Sequence, residues 1–421
     1  MSFDRASLAA IAALREAGEE EHLALPDYSS YGFAELPAFV LAQLCGTETA
    51  LRAEVAGRVG APPEAVVLVL LDGFGWSYFA RFADELPFLR RMLSEGSVAQ
   101  ISSQFPSTTA AQITTLHTGA PVGASGIFEW QYFEPELDAI YMPLPALATD
   151  GLSWRPVEPE PGQIYPERTL YHRLGEHGVR SFVYQDGRYA GSTASRALAA
   201  GAQRVPFRSF AEALTLLGER LGEGAGPSYH CVYFDVIDAI SHAHGPDSPH
   251  VEAEIRAMFR LLEDELVAAV QNTDTLVLVT ADHGHISVHP EKTIYLDRLW
   301  PALTGMIHTN AKGTPSVPAG SARDLFLYVK PEHLEEAEQG LVERLDGVAT
   351  VHRTETLVER GHFGEIQERL RTRLAPLVVL PRPHETVWWS DGGRFDMPMR
   401  GHHGGLSRDE LEIPLLSWRA A

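Results

Sequence analysis

Thr275-Leu276-Val277-Leu278-Val279-Thr280-Ala281-Asp282-His283-Gly284-His285 is the stretch that decides the fold. Its apolar, β-branched half is too short for a typical globular helix and predicts a strand buried on both faces of a parallel sheet. The polar half follows at once. Ligands of open α/β sheets sit outside the carboxyl ends of strands, so Asp282 and His283 are placed to face a site. A carboxylate oxygen beside an imidazole nitrogen suits Zn²⁺ or Mn²⁺, and Gly284 lets the backbone turn sharply next to the ion. A solvated loop with chance polar residues is the alternative at this point.

Outward from there, a second apolar run, Val66 to Leu71, ends in Asp72-Gly73. Asp72 is either a further ligand or a cap for the helix beginning at Trp76. After the strand Val98 to Ser103 comes Phe105-Pro106-Ser107-Thr108-Thr109, a strand-to-helix turn. A hydroxyl there either caps the helix or serves as a nucleophile, with the N–H groups of the helix start ready for a phosphate. The strand Tyr229 to Val236 leads to Asp238 and His242, one helical turn apart and able to meet a single ion; His244 competes with His242. Phe128, Trp130 and Tyr132 form an aromatic run close behind the nucleophile helix, suited to stacking on a flat base, with core packing as the alternative role. His117, His285, His289 and His402 fall near these motifs and read as structural or supporting imidazoles.

Composition sets the frame. The 421 residues, 45% hydrophobic, suffice for one large α/β domain and a smaller one. With 34 Lys+Arg against 56 Asp+Glu, the formal charge of -22 disfavours nucleic-acid polymers and anionic membranes and favours a small ligand neutralised by metal. Two cysteines, Cys45 and Cys231, are too few for a disulfide framework, and no stretch has signal-peptide or transmembrane length, so the expectation is a cytoplasmic protein. Alternating strands and helices predict a core over residues 1–304 and 374–421, with a helical leader over 1–60 packed on it. The leader's helices are expected at Ser7–Ala17, Leu36–Leu44 and Glu48–Val59. An inserted α+β cap is expected over 305–373, with the core resuming at the strand Leu377–Leu380.

Strand-Asp72-Gly73, Phe105-Pro106-x-x-Thr109, Asp238-x-x-x-His242 with Gly245-Pro246, Asp282-His283-Gly284 and His403-Gly404 occur in this order. The set resembles the alkaline phosphatase superfamily, and within it the nucleotide pyrophosphatase/phosphodiesterase (type I phosphodiesterase) branch, over about Val66 to Trp418. The resemblance implies an alkaline-phosphatase-like α/β/α sandwich with a largely parallel sheet and two divalent metal ions, Zn²⁺ or Mn²⁺. One ion would be held by Asp72, Asp282, His283 and the nucleophile Thr109, the other by Asp238, His242 and His403. The implied activity is hydrolysis of a small phosphodiester or pyrophosphate through a phospho-threonine, with Thr108 and Ser107 as rival nucleophiles. A phosphomonoesterase or phosphonate hydrolase of the same superfamily is the alternative enzyme, and a catalytically decayed metal-binding module the alternative of another class. Many members place a phosphate-contacting Asn after Gly-Ile; here Gly126-Ile127-Phe128-Glu129-Trp130 lacks it, leaving Gln131 or Gln112 as substitutes.

Overall fold

A computed structural model describes residues 3–18, 22–52, 55, 61–149, 153–224 and 226–420. Its centre is a seven-stranded sheet in the order Ser97–Ser102, Glu412–Arg419, Thr275–Thr280, Ala65–Leu71, Ser228–Phe234, Arg180–Asp186, Gln203–Phe207. From Thr275–Thr280 to Gln203–Phe207 every pairing is parallel, while Glu412–Arg419 runs antiparallel to both its neighbours. Six strands therefore point one way and one points back. All of Ala65–Leu71 and Thr275–Thr280 is buried, which is why both read as uninterrupted apolar runs.

Helices cover the sheet in two groups. Leu36–Cys45, Thr109–Thr118 and Leu170–Glu176 pack on one another, and Pro249–Leu261 packs on both Pro87–Glu95 and Phe210–Gly222. At the sheet edge, Phe3 bridges to Val98 and the helix Arg5–Ala17 packs on Ser97–Ser102, so the leader shields an otherwise open strand. Residues 48–52 are non-helical, and the rest of the helix expected over Glu48–Val59 lies largely outside the described residues. No helix among the described residues is long and apolar enough to cross a membrane.

The sheet formed by the strands expected in the cap reaches past residue 373. Leu377–Pro381, expected to return to the central sheet, instead pairs antiparallel with Asp324–Leu327 and Ala349–Arg353 in a separate four-stranded sheet. A second hydrophobic cluster, distinct from the main core, gathers Ile286, Leu296, Leu325, Leu341, Leu377, Trp388 and Met397. The strand Leu377–Pro381 thus pairs with the strands expected in the cap and not with the central sheet. The cause is simple. A short run buried on both faces looks the same in either sheet, and its partners are not written in the run itself.

Candidate active site

Because the strands share a direction, the segments leaving Ala65–Leu71, Ser97–Ser102, Ser228–Phe234 and Thr275–Thr280 emerge along one edge. The reversed strand Glu412–Arg419 begins at that same edge, Glu412 standing opposite Ser102, so the segment before it, not after it, brings His403 in. Asp72, Thr109, Asp238, His242, Asp282, His283 and His403 meet there.

At one end, His283 Nε2 lies 3.3 Å from Asp72 Oδ1, 3.5 Å from Asp282 Oδ2 and 3.2 Å from Thr109 Oγ1. Asp282 Oδ1 accepts from the Gly73 and His283 amides, both at 3.0 Å. Asp72 Oδ1 and Asp282 Oδ2 are buried and accept no hydrogen bond. Burial, reinforced by Asp282 and Asp238, holds Asp72 well above the usual carboxylate range, and burial raises Asp282 too. Two acids packed together without a cation resist ionising. Gly73, at φ +75°, is required here, since a Cβ on it would stand 2.8 Å from the His285 ring.

At the other end, Asp238 and His242 share a face of the helix Val236–His244, with His242 Nε2 3.3 Å from Asp238 Oδ1. His403 Nε2 is 3.5 Å from the same oxygen and 3.2 Å from His242 Nε2, and its ring stacks on His283 at 3.5 Å between centroids. Backbone carbonyls set the tautomers: Nδ1–H of His242 donates to Gly401 O at 2.8 Å, that of His403 to Ser107 O at 2.9 Å, and that of His283 to Gly284 O at 3.1 Å. Each Nε2 is left bare. The His242 and His403 lone pairs facing each other at 3.2 Å repel unless a cation lies between them, as do the orphaned oxygens of Asp72 and Asp282 against His283 at the other end, so these side chains fit a divalent metal. The ligand atoms form two groups compact enough for an ion, Asp72–Asp282–His283 and Asp238–His283–His285–His403.

The hydroxyls of the turn separate cleanly. Ser107 Oγ donates to Gly405 O at 2.9 Å and Thr108 Oγ1 to Phe128 O at 3.2 Å, whereas Thr109 Oγ1 faces His283. Thr109 opens the helix Thr109–Thr118, whose start has no side-chain cap, so first-turn N–H groups point toward the centre without a side-chain acceptor. His244 is not a rival to His242, because it stacks on His250 at 3.9 Å outside the cluster.

Two contributors were missed or set aside. His285 Nε2 meets Asp238 Oδ1 at 2.8 Å, and Tyr233 donates its hydroxyl to Asp72 Oδ2. Register held the signal for Tyr233, which pairs with Leu70, two residues before Asp72. The aromatic run needs correction. Phe128 and Tyr132 are core residues, stacked 5.0 Å apart and closed to any ligand. Trp130, 44% exposed, and the buried Gln131 do line a cavity beside Thr109. Gln112 spends its amide on Gln104 O and Pro106 O.

Known structures share the fold. Murine ectonucleotide pyrophosphatase / phosphodiesterase 5 superposes with a TM-score of 0.64 at 18% identity, covering 84% of this chain and 87% of that one. An inactive variant of the murine protein in complex with AMP matches equally, and the human protein matches with a TM-score of 0.63 at 18% identity over the same shares. The family described as "Type I phosphodiesterase / nucleotide pyrophosphatase" matches residues 66–406, from the strand before Asp72 to just past His403. The chain therefore belongs to the type I phosphodiesterase / nucleotide pyrophosphatase family of the alkaline phosphatase superfamily, and is a phosphoric ester hydrolase.

Proposed function

We propose that the protein hydrolyses small phosphodiesters by in-line attack of Thr109 Oγ1 on phosphorus. The observation that carries this is the hydroxyl of Thr109, the one of three neighbouring hydroxyls turned to the Asp72–Asp282–His283 group, at the uncapped start of a helix. The family is divalent-metal-dependent. Asp72, Asp282, His283 and Thr109 would hold one Zn²⁺ or Mn²⁺, and Asp238, His242 and His403 a second. When bound, such ions supply positive charge that favours the alkoxide form of a hydroxyl and offsets the charge of phosphate oxygens.

The chain's own groups do the rest. A bond from Thr109 Oγ1 to phosphorus forms as the bond to the leaving oxygen breaks; the hydroxyl proton goes to solvent, the departing oxygen takes one up to leave as the alcohol, and the phospho-threonine keeps the second ester arm. First-turn N–H groups donate to the nonbridging oxygens. Water then attacks phosphorus from the side the alcohol left and breaks its bond to Oγ1, which regains a proton as the phosphate monoester is released. Tyr233 and His285 keep Asp72 and Asp238 turned inward.

The test joins chelation with substitution. Metal removal is expected to abolish turnover of an aryl phosphodiester, with Zn²⁺ or Mn²⁺ restoring it. Thr109→Ala should slow turnover by at least about 10³-fold at unchanged metal content, and Thr108→Ala by less than about tenfold. Full activity of the metal-free protein, or the reverse order of the two variants, would sink the proposal.

A further inference from the structure

Two chambers open from the reacting centre, and Thr109, Trp130 and Asp238 line both. One, about 330 Å³, runs over the core past Ile113, Leu144 and Leu198 to Gln185 and Tyr189. The other, about 420 Å³, lies beneath the cap and is walled by Trp388, Phe395, Met397 and Met399. Trp130 is their shared wall.

The chambers are not equivalent. Asp72 and Tyr233 line the core chamber only, while His242 and His403 line the cap chamber only. In an in-line displacement the nucleophile and the leaving oxygen stand on opposite sides of phosphorus. Thr109 Oγ1 lies at the Asp72–Asp282–His283 end, so the leaving arm departs toward His242 and His403 and enters the cap chamber.

Charge narrows what that arm is. Among the described residues no Lys or Arg lines the core chamber, and Asp235 is an acid there that is not assigned to an ion. In the cap chamber Arg394 is paired with Asp391 at 3.1 Å and Asp396 lines the same wall, while Glu129 is buried and Asp238 is assigned to an ion. Beyond the assigned ions, an arm carrying further phosphates finds Arg394 already held by Asp391, with Asp396 on the same wall, whereas thioether and aromatic walls accept apolar groups of varied shape.

We infer that the preferred substrate is a phosphodiester whose leaving arm is an uncharged alkyl or aryl group seated in the cap chamber, with Phe395, Met397 and Met399 setting that specificity. The inference rests on the attack by Thr109 proposed above. Methyl 4-alkylphenyl phosphates test it on the metal-loaded enzyme, because lengthening the alkyl group from methyl to butyl leaves the acidity of the phenol nearly constant. kcat/KM is expected to rise with each methylene, by up to about fourfold, until the chamber fills. Met399→Glu should flatten the rise and Met399→Leu should keep it. A flat series in the wild type, or ATP turned over with a higher kcat/KM than the butyl diester, would overturn the inference. Calorimetric binding of 4-butylphenol to Thr109→Ala reads the chamber without turnover. Saturable binding weakened by adding Met399→Glu supports the chamber even where Thr109 proves not to be the nucleophile, and no binding overturns the chamber while leaving the nucleophile intact.

Discussion

Glu129 and Asp324 show how much one buried proton decides. Both side chains are fully buried, and Glu129 Oε1 and Asp324 Oδ2 have no donor from any other group among the described residues. Burial pushes Glu129 up to about 8, and burial together with Glu129 holds Asp324 well above the usual carboxylate range, so the folded pair keeps a proton. An unfolded Glu near 4.5 loses its proton first. Between about 4.5 and 8 the folded state binds a proton that the unfolded chain lacks, so the pair's contribution to stability is full in acid and falls as pH rises through that window. Glu129→Gln supplies an amide donor in place of the titrating proton. Its melting temperature should decline less between pH 5 and pH 8 than that of the wild type; parallel declines would remove the shared proton from the account. At this scale the sequence was legible where chemistry follows a strand end, as for Asp72 and Asp282. It was not legible for Phe128 and Tyr132. The strand begins only at Tyr132, and the bends before it break the alternation that would have put these rings on Trp130's face.

The turn after Thr275–Thr280 holds its place through close backbone contacts. Gly284 donates its amide to Glu410 O at 2.9 Å, and a Cβ on Gly284 would stand 2.1 Å from Asp409 O. Gly75 approaches from the other side, where its own Cβ would lie 2.5 Å from Gly284 Cα. Gly284→Ala should therefore shift the adjacent Asp282 and His283, costing about 1–3 kcal/mol of stability with a parallel loss of bound metal, measured by denaturant unfolding and metal analysis. Unchanged values in both would show that the turn gives way elsewhere. The sequence pointed to a sharp turn at Gly284 but not to its neighbours. Which backbone comes close is a matter of topology, as it was for Leu377–Pro381, whose apolar pattern suits either sheet.

Cap and core are fastened by ion pairs that water does not reach. Arg323 donates two bonds of 3.0 Å to Glu410 and two more to Arg382 O and Glu385 O, while Arg373 pairs with Glu134 at 2.6 Å. Removing one partner strands the other's charge, so Arg323→Met should cost about 3–5 kcal/mol in denaturant unfolding, and Arg323→Met with Glu410→Leu should recover most of it. Equal losses in the single and double variants would mean that the charge was never the issue. The reversed strand Glu412–Arg419 bears on how such a molecule comes into being. Chains emerge from the ribosome N-terminus first, and the strand's direction puts its contribution to the site, His403, behind the entire cap. On the assignment proposed above, a nascent chain carries the whole Thr109 group long before it carries the last ligand opposite. The enzyme is thus born incomplete, and its chemistry waits until the chain beyond the cap has been made.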